Sequence, residues 1–149
     1  MASPIGETVT TPSEAETVQL GRRIAATLPP GTLVILSGAL GAGKTVFVHG
    51  MAAGLGIDPN DVRSPSFTLV NEYGPSATGR RLVHIDLYRL EDSGEVEELG
   101  IGDYLADGAV VAVEWGEKLP PRLREEAVIV LLADAGGDQR RVTLPPGYS

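Results

Sequence analysis

The stretch Gly38-Ala39-Leu40-Gly41-Ala42-Gly43-Lys44-Thr45 constrains this chain more than any other. It matches G-x-x-x-x-G-K-[ST], and its flanks matter as much as the match. The apolar run Thr32-Leu33-Val34-Ile35-Leu36 before it predicts a buried strand, and Val46 to Leu55 after it predicts a helix. A strand feeding a glycine-rich turn that opens a helix is the context a phosphate-binding loop requires. Glycines let successive N–H groups converge on phosphate oxygens, and the helix N-terminus adds the positive end of its dipole. The candidate nucleotide-binding positions are therefore Gly38, Leu40, Gly41, Ala42, Gly43, Lys44, Thr45 and Val46. Lys44 would reach the outer phosphates and the Thr45 hydroxyl would hold Mg²⁺. The bland alternative is a glycine-rich turn with an exposed lysine, against which the flanking strand and helix both speak.

At 149 residues the chain is expected to form a single domain, residues 1–149, with an arm or short edge strand over residues 1–12. It has no cysteine, hence neither a disulfide framework nor a thiolate metal site. No apolar run is long enough to span a bilayer and Met1-Ala2-Ser3-Pro4 does not open a signal peptide, so a cytoplasmic location is expected. Net charge is −8, from 20 acidic against 12 basic residues. A protein that gripped a nucleic-acid backbone by itself would show a basic face. Any service to RNA would then pass through a protein partner, although the acidity also serves solubility.

Along the chain, Ser13-Glu14-Ala15-Glu16 has the form of a capping box, predicting a helix from Glu14 to Leu28 with Val18, Ile24, Ala25 and Leu28 inward. Pro29-Pro30-Gly31 ends it. After a turn at Asp58-Pro59-Asn60-Asp61, the segment Ser64-Pro65-Ser66-Phe67-Thr68 stands where a nucleotide switch would, or is a plain surface connection. Leu69 to Tyr73 and Leu82 to Leu87 read as strands joined by a hairpin-type connection. Alternation puts Leu82, His84 and Asp86 on one face of the second. A carboxylate at Asp86 is informative, because without a partner it would cost desolvation free energy. His84 reads more simply as a satisfied strand histidine. Two short helices are expected over Asp92–Leu99 and Ile101–Leu105. Ala109-Val110-Val111-Ala112-Val113-Glu114 is an apolar run ending in a carboxylate, the form of a buried parallel strand with a metal-binding acid at its carboxyl end. Glu114 is then a second candidate for Mg²⁺, and Trp115 is either a core anchor or a cover over the nucleotide. Pro120-Pro121 is expected to break a short helix, and Ala127–Ala133 with Arg141–Leu144 to form a closing hairpin around Asp134-Ala135-Gly136-Gly137. No N-K-x-D guanine motif is present, which favours ATP over GTP.

Taken together, Gly41-Ala42-Gly43-Lys44-Thr45, Ser64-Pro65-Ser66-Phe67-Thr68-Leu69, His84-Ile85-Asp86-Leu87-Tyr88-Arg89-Leu90 and Val113-Glu114-Trp115 resemble, in order and spacing, the TsaE (YjeE) family of bacterial ATPases. That family acts in tRNA threonylcarbamoyladenosine biosynthesis, and the likeness runs from the Ser13 helix to the last strands. The resemblance implies a three-layer α/β phosphate-loop fold with a mixed, mostly parallel sheet. It also implies Mg-ATP binding and slow hydrolysis stimulated by two partners, TsaB and TsaD, with tRNA met only through their complex. Carried onto this chain, it suggests Lys44, Asp86 and Glu114 as catalytic residues, Thr45 and Glu114 as metal ligands, and Ser64, Pro65, Ser66, Phe67 and Thr68 as the switch-like loop. Trp115 and Arg140 would lie near the nucleotide, with Arg141 or the start of the first helix as further candidates. The chain departs from the family at Ala39, often acidic there, at Ser66, commonly Thr, and at Gly116, usually Pro. No phosphate or metal ligand is lost by these changes.

Two other readings remain open at this level. A small-molecule kinase could use the same loop, but nothing resembles an arginine-rich lid and little chain is spare for an acceptor subdomain. A nucleotide-gated scaffold that barely hydrolyses differs from a partner-activated ATPase mainly in degree. Arg89 is the candidate for a charge-stabilising arginine supplied within the chain.

Overall fold

The computed structural model describes residues 7–39, 42–62 and 69–146. Leu40, Gly41 and the switch-like segment 64–68 lie outside the described residues. Thr8–Thr11 forms β1, the short edge strand expected of the N-terminal arm. Ser13 caps α1, Glu14–Thr27, its Oγ accepting from the Glu16 N–H at 3.2 Å. That bond takes up one of the N–H groups every helix start leaves without an intrahelical acceptor. The buried positions are Thr17, Leu20, Gly21, Ile24 and Ala25, spaced i, i+3, i+4, i+7, i+8, so the inward stripe passes through Thr17 while Val18 is half-buried at its border.

Leu33–Ser37 is β2 and Lys44–Gly54 is α2, the two elements that bracket the glycine-rich loop. α1 and α2 pack backbone against backbone. A methyl on Gly50 would overlap the Val18 carbonyl, and one on Gly21 would meet the Phe47 carbonyl at 2.5 Å. A 3₁₀ turn at Pro59–Asp61 leads on to the hairpin of β3, Val70–Tyr73, and β4, Leu82–Asp86. Then come α3, Ser93–Glu98, capped by Asp92, and α4, Ile101–Ala106, followed by β5, Val110–Glu114. Pro120-Pro121 follows a 3₁₀ turn at Gly116–Lys118, and Pro121 also opens α5, Pro121–Glu126, a helix that the proline pair by itself does not announce. Proline suits a first helical turn because the N–H it lacks has no acceptor there anyway. The hairpin of β6, Val128–Asp134, and β7, Arg140–Thr143, closes the fold, its turn held by the Gly136 N–H donating to Asp134 Oδ1 at 2.8 Å.

The seven strands make one sheet in the order β1-β7-β6-β2-β5-β4-β3. β2 pairs in parallel with both β5 and β6, and β4 with β5, while the outer pairings are antiparallel. The sheet is thus mixed, with a parallel centre. Its two faces follow from alternation along each strand. Val34, Leu36, Leu82, Val110, Ala112, Val130, Leu132 and Val142 pack beneath α1 and α2. Leu33, Ile35, Val83, Ile85, Val111 and Val113 pack on the other side with Val96, Ile101 and Leu119 from the α3–α5 region. Helices on both faces explain why β2 and β5 read as continuous apolar runs rather than alternating ones. Among the described residues, no helix is long and apolar enough to cross a membrane.

Candidate functional site

Parallel strands share a carboxyl edge, and here three of them end together. Leu36 of β2 is in register with Glu114 of β5, and Glu114 with Asp86 of β4. β2 runs directly into the glycine-rich loop, so both carboxylates arrive beside it. Parity then decides orientation. Asp86 and Glu114 belong to the same alternating set as Leu82, Ala112 and Leu36, the face covered by α2. They therefore share a side of the sheet with the first turn of the helix that carries Lys44 and Thr45.

Gly43 stands at the N-cap of α2 with φ +96°, a left-handed conformation natural to glycine. Having no side chain, it leaves the helix start uncapped and open to an external acceptor. Lys44 folds back toward the end of β2, its Nζ donating to the Gly38 carbonyl at 2.8 Å and lying 3.4 Å from Glu114 Oε1. Glu114 is buried at 7% exposure, and its Oε2 accepts from Nε2 of the wholly buried His84 at 2.7 Å. Burial alone pushes the Glu114 carboxyl upward. The His84 hydrogen bond and charge, with the Lys44 ammonium, outweigh that and hold it below the ordinary carboxylate range. Glu114 is therefore ionised at neutral pH. Asp86 is half-buried, and its Oδ1 accepts from the Tyr88 N–H at 2.9 Å, which bends the chain away after β4.

All of these groups except His84 line a cleft of about 850 Å³, within the ordinary size of small-molecule pockets. Of the sequence-predicted residues, it brings together Gly38, Gly43, Lys44, Thr45, Val46, Asp86, Glu114, Trp115 and Arg140. Ala42 is buried in the core rather than in the cleft wall. Neither the start of α1 nor Arg141 is in the wall, and Arg141 is exposed on β7. Arg140 comes from the far side of the sheet, and its side chain lies over Gly43, where an added methyl would meet Arg140 Nε at 3.2 Å. Its Nη1 donates to the Gly137 and Gln139 carbonyls at 2.7 Å each and lies 3.6 Å from Asp134 Oδ1. Arg89, the candidate charge-stabilising arginine, lines the opposite wall.

Trp115 is 40% exposed and sits on the rim, so the core-anchor reading does not hold. It has φ +63°, as Leu69 has φ +67°, and both residues line the cleft. Left-handed backbone at a large residue is strained and gathers at functional sites. The Trp115 ring leans on Tyr88 at 5.1 Å between centroids. Lys118 ties the rim together, its Nζ donating to the Tyr88 and Leu90 carbonyls at 2.7 and 2.8 Å while facing both rings at 5.8 Å. Sequence reasoning did not find Tyr88, Lys118 or the His84–Glu114 bond as parts of the site. Period-two placement of His84 beside Asp86 was the one available signal.

The family model described as "Threonylcarbamoyl adenosine biosynthesis protein TsaE" matches residues 11–142. Curated relatives carry the name tRNA threonylcarbamoyladenosine biosynthesis protein TsaE. That of Bacillus subtilis is 40% identical over 128 residues, covering 86% of this chain and 78% of its own. The Haemophilus influenzae protein is 38% identical over 138 residues, covering 89% and 85%. The Aquifex aeolicus protein is 44% identical over 110 residues, covering 73% and 76%. Among solved structures, Bacillus subtilis YdiB superposes with a TM-score of 0.71 at 29% identity, covering 97% of this chain and 88% of that one. With a match that takes in both the phosphate-loop strand and the carboxylates beside it, the chain belongs to the TsaE family.

Proposed function

We propose that this protein is a Mg²⁺-dependent ATPase serving threonylcarbamoyladenosine modification of tRNA, and that its hydrolysis is stimulated by TsaB and TsaD. The observation that carries the reading is the meeting of Lys44 and Glu114 at 3.4 Å, beside an uncapped helix start in an open cleft. The pathway comes from the names of the family and its relatives.

The donor set suits a hard cation. Among the described residues, no three acidic, histidine or cysteine groups form an all-protein cage. Mg²⁺ at nucleotide sites is commonly held by only one or two protein oxygens together with phosphate oxygens. Thr45 and Glu114 would hold it, and when bound it supplies positive charge across the phosphates. Lys44 would exchange the Gly38 carbonyl for outer phosphate oxygens. Asp86 would orient a water in line with the phosphorus, and Arg140 over Gly43 would bear on the inner part of the nucleotide. A chain lacking a charge-stabilising arginine at the transferred phosphoryl group would hydrolyse slowly alone, since such a group can be worth roughly a thousandfold or more. In that picture the protein does not touch tRNA itself, and its ATP cycle resets the TsaB–TsaD assembly.

Phosphate release from Mg-ATP, measured for the protein alone and then with TsaB and TsaD, tests this. Strong stimulation by the pair supports both the activity and the pathway. ATP binding without stimulation would remove the partner assignment. A new phosphorylated metabolite in place of free phosphate would make the protein a kinase.

A further inference from the structure

His84 is the one fully buried ionisable group of the structure whose only hydrogen bond among the described residues goes to a candidate site carboxylate. Its Nδ1 has no partner among the described residues. Nothing about strand β4 requires a polar side chain there. The position faces the apolar layer under α2, where its neighbours in parity are Leu82 and Ala112. An imidazole in such a place costs desolvation that a valine or leucine would not. Its return is visible in the geometry. Nε2 holds Oε2 of Glu114 at 2.7 Å, which leaves Oε1 turned to the cleft, 3.4 Å from Lys44.

A glutamate has three side-chain torsions and two equivalent oxygens. Freed of His84, Glu114 could rotate so that neither oxygen is directed to the place in the cleft where a cation would sit. We propose that His84 is a positioning residue that pins Glu114 by one oxygen, so that the other stays available to the Mg²⁺ of Mg-ATP. This rests on the Mg-ATP reading above. Groups that hold a metal-binding side chain in place are characteristically worth 10- to 100-fold in metal affinity.

The test is calorimetric titration of the full chain with ATP, once in Mg²⁺ and once in EDTA, for wild type, His84→Leu, His84→Gln and His84→Asn. Gln carries its amide N–H to about the place of Nε2, whereas Asn reaches only as far as Nδ1. We expect His84→Leu to lose roughly tenfold of the Mg²⁺-dependent gain in affinity, with affinity in EDTA unchanged. His84→Gln should recover the gain and His84→Asn should not. Mg-ATP affinity in His84→Leu equal to wild type would overturn the proposal. So would an equal loss in EDTA, the mark of a merely structural role, or identical behaviour of the Gln and Asn variants. If the Leu variant does not fold, the Gln–Asn comparison decides alone. Lys44→Ala, run in parallel, separates the premise: undiminished ATP binding there removes the phosphate-loop reading itself.

Discussion

Glu114 sits where burial and electrostatics oppose one another, and the groups around it decide the outcome. Its carboxyl is held below the ordinary range by His84 and Lys44 despite burial. A depressed folded-state pKa contributes stability that is present above the unfolded value, roughly 4.3, and is lost as pH falls through the folded value. Wild type should therefore melt above Glu114→Gln at pH 7, and the gap should close as pH is lowered past about 4. Thermal melts across that range check it. A constant gap would mean that packing, not charge, separates the two proteins. Arg140 gives a second expectation at this scale. Its guanidinium lies over Gly43, but its carbonyl partners are all in its own hairpin turn. Arg140→Ala should weaken ATP binding about tenfold, the loss of one charge-assisted contact, while the melting temperature changes little. Lys44, Thr45 and Glu114 were legible one residue at a time, from a motif and from an acid ending an apolar run. The His84 bond was not, because a diagonal contact between neighbouring strands leaves no trace in the spacing of either.

At the scale of elements, the α1–α2 contact and the cap of α1 make separate claims. Gly50 faces the Val18 carbonyl with no space for a methyl, and backbone cannot yield as a flexible side chain can. Gly50→Ala should destabilise by about 2 kcal/mol or more, in the range of overpacked cores. It should also weaken nucleotide binding, since α2 carries the loop. Ser13→Ala should cost about 1 kcal/mol through loss of the bond to Glu16 and leave the cleft untouched. Urea denaturation with ATP titration distinguishes the two. The starts of both helices could be read from sequence, because caps and glycine-rich turns are local. The exact inward stripe of α1 could not. Thr17 is buried because its hydroxyl meets that of Thr11 at 2.6 Å, and that partner comes from a strand bound elsewhere in the sheet.

For the molecule as a whole, the net charge of −8 sets an expectation about RNA. Phosphate-backbone binding draws its affinity from released counterions, which requires clustered cations. The protein alone should therefore give no shift of tRNA in gel electrophoresis at physiological salt, with or without Mg-ATP. A salt-sensitive shift would count against access to tRNA only through partners. The rim offers a reporter for the nucleotide itself, because the single tryptophan, Trp115, lines the cleft and is partly exposed. What the sequence determined by itself was local and periodic: the strand, loop and helix around Lys44, the parity that sets Asp86 beside His84, and the buried run ending at Glu114. Strand order was decided only by the tertiary structure. Periodicity says which face a side chain takes, but not which strand lies next to it, and pairing between distant segments is set by how the whole core packs. That packing put β5 between β2 and β4, which set Glu114 against both Lys44 and His84, and it brought β7 close enough for Arg140 to cross Gly43.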